Sequence, residues 1–304
     1  MNDITVILNP KAGQGAALKL VGFLRQAFER RNVRYQLMMT SAPGHATDLA
    51  RSARGSVVVA VGGDGTINEV VNGLAGTEKH LGIIPAGSGN DFIKSVHIPA
   101  NPSLALERLF LERITGVDIG TVECHENWPS MSGGLPSSKR CFLNGVGVGF
   151  DAEVAAKTAE IRFLTGIPLY LLAVLKTLGP YRSPEFEIQV DDYQERGRKL
   201  LVAIGNGVCA GGGFYLTPDA RVDDGQFDVC LVADIPIRKI LRLMPRVMRG
   251  KHQGVRYVNF IRGREITLAS QDRFYVHADG EIVGRKVQRV KIGMLGRKLS
   301  VISG

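Results

Sequence analysis

Val57-Val58-Val59-Ala60-Val61-Gly62-Gly63-Asp64-Gly65-Thr66-Ile67-Asn68-Glu69-Val70-Val71-Asn72-Gly73-Leu74 is the stretch from which the rest of the chain is read. Residues 57–61 form a short, strongly β-branched run, which suits a strand buried on both faces. Residues 66–74 carry helical spacing. Between them stand three glycines and one aspartate. A strand that feeds a helix through a glycine turn is half of a parallel βαβ unit.

The same pattern extends on both sides. Residues 4–8 read as a buried strand ending in Asn9-Pro10-Lys11-Ala12-Gly13-Gln14-Gly15. Residues 16–31 follow as a helix, with Leu20, Phe23, Leu24, Ala27 and Phe28 on one face. A strand over 33–40 and a helix over 45–54 come next. Residues 81–84 form a fourth strand, followed by Pro85-Ala86-Gly87-Ser88-Gly89-Asn90-Asp91. These alternations predict an N-terminal domain over 1–122, built as a three-layer, Rossmann-like parallel sheet.

Three strand ends thus carry glycine loops, residues 9–15, 62–66 and 85–91. The C-terminal ends of parallel strands share one edge, and loops there converge on the usual ligand crevice. Glycine lets the backbone approach a phosphate, whose charge backbone N–H groups and a helix N-terminus stabilise. Each loop alone is equally a tight turn. Asp64 would repel a phosphate unless a cation intervened, and Mg2+ is the expected one. The alternative is a turn aspartate capping the helix that starts near Thr66. Neither GxxxxGK[ST] nor GxGxxG stands at these strand ends, which excludes a Walker loop and a dinucleotide fingerprint.

The texture changes near residue 120. Residues 123–139 are rich in Ser, Gly and Pro and read as a loop. Short β-type runs follow at 140–144, 186–190, 200–205, 227–233, 265–268, 274–278 and 287–292, with helices over 169–178 and 236–249. Their close spacing predicts an antiparallel sandwich or barrel. The expected fold class is α/β plus β, with a β-sandwich domain over 123–292 and residues 293–304 returning to the first domain.

Composition agrees with a folded protein. The chain has 304 residues, 44% hydrophobic and 22% charged, which suits two domains of roughly 100–200 residues each. Cys124, Cys141, Cys209 and Cys230 form no CxxC pair and read as reduced cytosolic thiols. The N-terminus does not read as a signal peptide. The apolar run 163–175 contains Gly166 and Pro168 and falls short of the about 20 residues that span a bilayer. The expectation is a soluble, cytoplasmic protein with peripheral membrane contact. The net charge of +9 is uneven: residues 231–304 hold 16 Lys and Arg against 5 Asp and Glu. Such asymmetry suits an anionic partner.

With these motifs in order, the sequence resembles the diacylglycerol kinase catalytic-domain superfamily. It is similar to that superfamily's bacterial soluble lipid kinases, relatives of the sphingosine and ceramide kinases. GGDGTINEVVNGL at 62–74 carries the resemblance. NPKAGQG at 9–15, PAGSGNDF at 85–92, and the DDG and DGE segments at 223–225 and 279–281 extend it over nearly the whole chain. GGDGT alone is shared with NAD kinases and, approximately, phosphofructokinases.

The resemblance implies an ATP-dependent lipid kinase with ATP and Mg2+ as cofactors, bound between the two domains. It implies that Asn9, Lys11, Ala12, Gly13, Thr40, Gly62, Gly63, Asp64, Gly65, Thr66, Ile67, Asn68 and Ser88 line the ATP site. Many relatives carry Thr where Ser88 stands, and either hydroxyl can donate to a phosphate. Glu69 is expected to support the loop. Asp224 would supply a side-chain Mg2+ ligand, with backbone oxygens of Arg221 and Gln226 completing the set. Asp223-Asp224-Gly225 is also a hairpin-turn sequence. Glu281 would be the general base that takes the proton of a lipid hydroxyl attacking the γ-phosphorus, with Asp64 as the second catalytic carboxylate.

Ile237, Ile240, Leu241, Met244 and Met248 fall on one face of the predicted helix 236–249, and Arg238, Lys239, Arg242, Arg246 and Arg249 fill most of the rest. Such a helix suits an anionic membrane surface, or packs on the sandwich with a solvated basic face. Pro245 is expected to kink it. The resemblance makes a lipid the substrate, and a homodimer is compatible with the sequence. An NAD kinase-like enzyme explains GGDGT but not the later segments. A basic nucleic-acid-binding protein explains the charge but not the carboxylate-bearing loops, and the basic quarter lacks interleaved aromatics. No nucleic acid is expected as partner.

Overall fold

The computed structural model describes residues 3–126, 139–158, 160–161, 164 and 166–303. Residues 127–138 of the expected loop lie outside the described residues, as do residues 163 and 165 of the apolar run. The chain divides into two units, Met1–Ile119 with Gly296–Gly304, and Gly120–Leu295.

The first unit contains β1 (Ile4–Leu8), α1 (Ala12–Arg30), β2 (Tyr35–Met39), α2 (His45–Ser52), β3 (Val57–Gly62), α3 (Asp64–Leu74), β4 (His80–Pro85), α4 (Phe92–Ser95) and α5 (Pro102–Phe110). Its strands pair in parallel in the order β2-β1-β3-β4. Every residue of β1 and β3 is buried, which is why both read as unbroken apolar runs rather than alternating ones. In α1, Gly13, Gln14 and Gly15 have φ of 57°, 57° and 90°, so the regular helix begins at Ala16. No expected element corresponds to α5. Its start is written in Asn101-Pro102: the Asn101 side chain accepts the N–H groups of Ser103 and Leu104, and proline occupies the first turn.

Register matters more than strand count here. Leu8 lies opposite both Met39 and Val61, and Val61 opposite Ile84. The loops after β1, β2, β3 and β4 therefore leave the sheet at one level.

The second unit is entered within β5 (Ile114–His125). It continues through β6 (Arg140–Phe142), β7 (Gly145–Gly149), α6 (Phe150–Thr158), α7 (Gly166–Leu178), β8 (Glu185–Val190), β9 (Tyr193–Gly205), β10 (Phe227–Ala233), α8 (Ile237–Val247), β11 (Val258–Gly263), β12 (Glu265–Ala278) and β13 (Glu281–Ile302). The end of β13 lies in the first unit, where Ser300 and Val301 run parallel to His80 and Leu81 of β4. In the second unit the pairing is antiparallel, in the order β11-β10-β9-β7-β12-β13. The long strands β9 and β12 each pair with β8 over one half and with β7 over the other. β8 buries Phe186, Ile188 and Val190 and exposes the residues between, the alternation of a strand with one wet face. One apolar cluster gathers Phe186, Phe274, Val276 and their neighbours. A second lies beneath α6, α7 and α8.

The buried face of α8 differs from the expected one. Ile240, Leu243 and Val247 are buried, while Ile237 and Leu241 are 46% and 44% exposed. The spacing of 240, 243 and 247 is as helical as the predicted set, and packing against the sheet selects it. Pro245 lies inside α8.

Candidate active site

The glycine loops of the first unit interlock through contacts that require glycine. A Cβ on Gly62 would stand 2.5 Å from Thr66 Oγ1, and a Cβ on Gly87 would stand 2.4 Å from the Cα of Gly63. Loops 62–66 and 85–91 thus touch backbone to backbone. Gly13 brings the first loop in: at φ +57° its missing Cβ would meet the Ala86 carbonyl at 2.2 Å. Asn9 Nδ2 donates to Thr66 Oγ1 at 3.1 Å, and its Oδ1 accepts the Lys11 N–H at 3.0 Å. Asn9, Lys11, Ala12, Gly13 and residues 62–66 are therefore brought together with the third loop.

Asp64 opens α3. Its Oδ1 accepts the N–H groups of Asp91 at 2.8 Å and Phe92 at 3.1 Å. It caps the short helix α4 and so ties the second loop to the third. Asn90, at φ 48°, closes the third loop on itself, accepting from Gly87 N–H and donating to Gly87 C=O. Ser88 is exposed at its tip. Ile67 and Asn68 are 2% and 1% exposed, so both are buried, backbone and side chain, in the first turn and a half of α3. Thr40 donates its N–H to Leu8 C=O at 2.9 Å, at the same sheet edge.

Glu69 does something other than support the loop 62–66. Its carboxylate accepts the N–H groups of Gly44 at 2.9 Å and Ala46 at 3.0 Å, at the start of α2. A carboxylate there complements the positive helix end, and it fixes the loop that follows Thr40.

In the second unit, Asp279 and Glu281 separate in role. Asp279 sits at φ 49° and accepts three backbone N–H groups, those of Leu143, Asn144 and Gly145, at 2.9–3.0 Å. It anchors the turn before β7. Glu281 opens β13 and is ion-paired with Arg140; both are about one-third exposed. Gly280 and the turn thus project Glu281 from a frame held by Asp279.

The segment 218–226 precedes β10. Asp224 Oδ1 accepts the Gln226 N–H at 3.1 Å, and Oδ2 is ion-paired with Arg262. Arg221 stands 3.5 Å from Asp223. Both carboxylate oxygens of Asp224 are engaged, and among the described residues no three His, Cys, Asp or Glu side chains are grouped to hold a metal ion. Asp224 and Glu281 also belong to strand ends four steps apart in the order β10-β9-β7-β12-β13. Burial pushes the neighbouring Asp228 carboxyl up, with Asp224 and Asp219 adding to the effect and Arg262 opposing it.

Beneath α6, α7 and α8 lies a cavity of about 60 Å³, lined by Phe150, Tyr170, Val174, Leu201, Phe214 and Leu243 among others. Two polar side chains interrupt this apolar wall. Asp151 is 3% exposed and stands 3.4 Å from His277. Gly147 makes room for that pair, since a Cβ there would lie 2.0 Å from Asp151 Oδ2. His252 is 1% exposed. Burial lowers its pKa below the ordinary range, and its Nε2 lies 3.2 Å from the Leu216 carbonyl. No local sequence pattern marks this cavity, because its wall comes from seven separate segments.

Comparison with known proteins follows the same two-unit division. Residues 3–122 match the diacylglycerol kinase catalytic domain, and residues 144–302, over half of the chain, match the YegS C-terminal NAD kinase beta sandwich-like domain. A diacylglycerol kinase of Bacillus subtilis (strain 168) is 27% identical over 93% of this chain and 91% of its own length. A diacylglycerol kinase of Mycobacterium tuberculosis (strain ATCC 25618 / H37Rv) is 28% identical over 92% and 89%. Among solved structures, a protein of Bacillus anthracis str. Sterne provisionally assigned as a diacylglycerol kinase has a TM-score of 0.75 at 25% identity, covering 100% of this chain and 95% of its own. An NAD kinase from Archaeoglobus fulgidus in complex with ATP shares the fold at a TM-score of 0.53 and 15% identity, covering 99% and 93%. Both domain matches fall in order along one chain, and this protein belongs to the diacylglycerol kinase superfamily of lipid kinases.

Proposed function

We propose that this enzyme uses ATP to phosphorylate a hydroxyl of a diacylglycerol-like lipid. The observation that carries the reading is the interlock of the three glycine loops at one sheet edge, through Asn9–Thr66, Gly63–Gly87 and Asp64–Asp91. Backbone held so closely can present N–H groups to phosphate oxygens without side-chain obstruction. Asn9, Lys11, Ala12, Gly13, Thr40, residues 62–68 and Ser88 form the ATP site in this reading. Mg2+ enters as part of the MgATP substrate, and Asp64 faces its charge.

The reaction is an in-line displacement. The lipid oxygen bonds to the γ-phosphorus, the bond to the ADP oxygen breaks, and the Glu281 carboxylate takes the hydroxyl proton. The apolar cavity of the second unit suits the acyl chain, where each buried methylene contributes about 0.8 kcal/mol. Among the described residues no helix is long and apolar enough to cross a membrane. Exposed Ile237 and Leu241 beside Arg238, Lys239 and Arg242 support peripheral docking of α8 on an anionic leaflet.

The test is transfer of label from γ-labelled ATP to a lipid panel of diacylglycerol, phosphatidylglycerol, sphingoid bases and long-chain alcohols, with NAD as a competing acceptor. Labelled phosphatidic acid is the expected product. Glu281→Gln is expected to bind ATP normally and to transfer roughly 10²–10⁴-fold more slowly. Full activity in that variant removes Glu281 as base, and label on NAD alone overturns the lipid reading.

A further inference from the structure

His277 pairs across the sheet with Gly147 of β7 on one side and with Ile282 of β13 on the other. Its side chain is 8% exposed and that of Asp151 3%, so water has little access to either. His277 Nδ1 accepts the Gly280 N–H at 3.3 Å. A ring nitrogen that accepts carries no proton, so the proton of the ring is on Nε2. Nε2 is the atom that faces Asp151, 3.4 Å from Oδ2. The other oxygen of Asp151 accepts the Ala152 N–H at 2.9 Å, at the start of α6. The carboxylate thus stands between two donors, and it favours the tautomer that leaves Nδ1 to accept from Gly280. Gly147 leaves the space in which the two side chains meet, since a Cβ there would lie 2.3 Å from His277 Nε2.

The turn that follows is a two-residue hairpin. Asp279 and Gly280 have φ of 49° and 84°, the left-handed pair of a type I′ turn, and Ala278 stands opposite Glu281. Asp279 ties this turn to the N–H groups of residues 143–145. His277 ties down the N–H of the residue just before Glu281. Asp151 also belongs to the wall of the apolar cavity. One run of contacts therefore leads from that wall through His277 and Gly280 to Glu281.

We propose that His277 is a positioning residue for Glu281. With its tautomer set by Asp151, it holds the Gly280 N–H and so fixes the turn from which the Glu281 carboxylate takes the proton of the lipid hydroxyl. The proposal rests on the reading of Glu281 as general base. A base moved out of line with its proton loses rate rather than substrate affinity, because the bound ground state does not use it.

The test compares two amides at position 277 by steady-state kinetics with diacylglycerol and γ-labelled ATP, with rates taken per folded enzyme. In His277→Asn the side-chain oxygen takes the place of Nδ1 and can accept the Gly280 N–H. In His277→Gln the amide reaches toward Asp151 and leaves Gly280 without its acceptor. His277→Gln is expected to lower kcat about tenfold or more, with KM for both substrates within about twofold. His277→Asn is expected to stay closer to wild type, whereas a role confined to satisfying Asp151 ranks the two the other way. In a Glu281→Gln background, His277→Gln is expected to change kcat by less than about twofold, because the group it positions is gone. Asp151→Asn reaches the same loss from the other side: an amide can accept from only one of the two donors. It too is expected to lower kcat with Glu281 present and to be nearly silent without it. Wild-type kcat in His277→Gln overturns the proposal, as does a His277→Asn enzyme slower than His277→Gln. A fall of equal size in the Glu281→Gln background overturns it while leaving Glu281 as base. A fully active Glu281→Gln enzyme removes the base and the proposal with it.

Discussion

The carboxylate of Asp64 accepts the backbone N–H of Asp91 at 2.8 Å. An acidic side chain beside the glycine loop 62–66 is thereby the clamp that joins this loop to the next one. Charge and clamp can be separated by substitution. Asp64→Asn keeps an oxygen for the N–H groups and removes the charge, whereas Asp64→Ala removes both. Both variants are expected to lose phosphoryl transfer by roughly 10²-fold or more. Only Asp64→Ala is expected to lose stability as well, about 0.5–2 kcal/mol. Initial rates and urea unfolding of the two proteins measure this. An Asn variant with wild-type rates would show that the charge is dispensable.

Glu69 caps α2 from a distance of 23–25 residues in sequence. Glu69→Ala is expected to cost about 0.5–2 kcal/mol, as lost caps do, and to leave kcat within about twofold, because Glu69 serves a helix end. Chemical denaturation beside steady-state kinetics separates the two effects. A large fall in kcat at unchanged stability would place Glu69 in the chemistry.

Gly87 has the Gly63 backbone where its side chain would be, with Cβ to Cα at 2.4 Å. Neither partner is a movable side-chain tip, so Gly87→Ala must part the loops. The expected cost is roughly 1–3 kcal/mol, with KM for ATP raised about tenfold, equivalent to about 1.4 kcal/mol. Gly22, inside α1 with open space around it, is the control. Gly22→Ala is expected to be neutral or to stabilise by up to about 1 kcal/mol.

His252 makes stability depend on acid. Burial lowers its pKa in the folded state below the ordinary 6.5, so the unfolded chain takes up its proton first as pH falls. Stability from this group is complete above about pH 6.5, and it declines from there down to the folded-state pKa. His252→Gln is expected to flatten that decline. Unfolding free energies of the two proteins between about pH 8 and pH 5 provide the comparison, and parallel profiles would contradict it.

Much of the site was legible because glycine and aspartate carry local meaning. Gly62, Gly63, Gly13 and Gly87 were visible as loop residues from the pattern of strand, glycine turn and helix alone. Their contacts were not: Gly63 against Gly87, and Gly13 against Ala86, join residues 24 and 73 apart in sequence. Glu69 was assigned to its own loop, since a linear reading favours near neighbours over the helix end that folding brings beside it. Asp279 and Arg140 likewise act through partners distant in sequence, Leu143 to Gly145 and Glu281.

The sequence by itself determined the parallel N-terminal sheet, the antiparallel C-terminal strands and the family, because side-chain periodicity and turn chemistry are short-range properties written into consecutive residues. Tertiary structure alone decided which face of α8 is buried, how the apolar cavity is walled, and that Asp224 meets Arg262. These depend on strand register and helix packing, which bring together side chains that no local spacing relates.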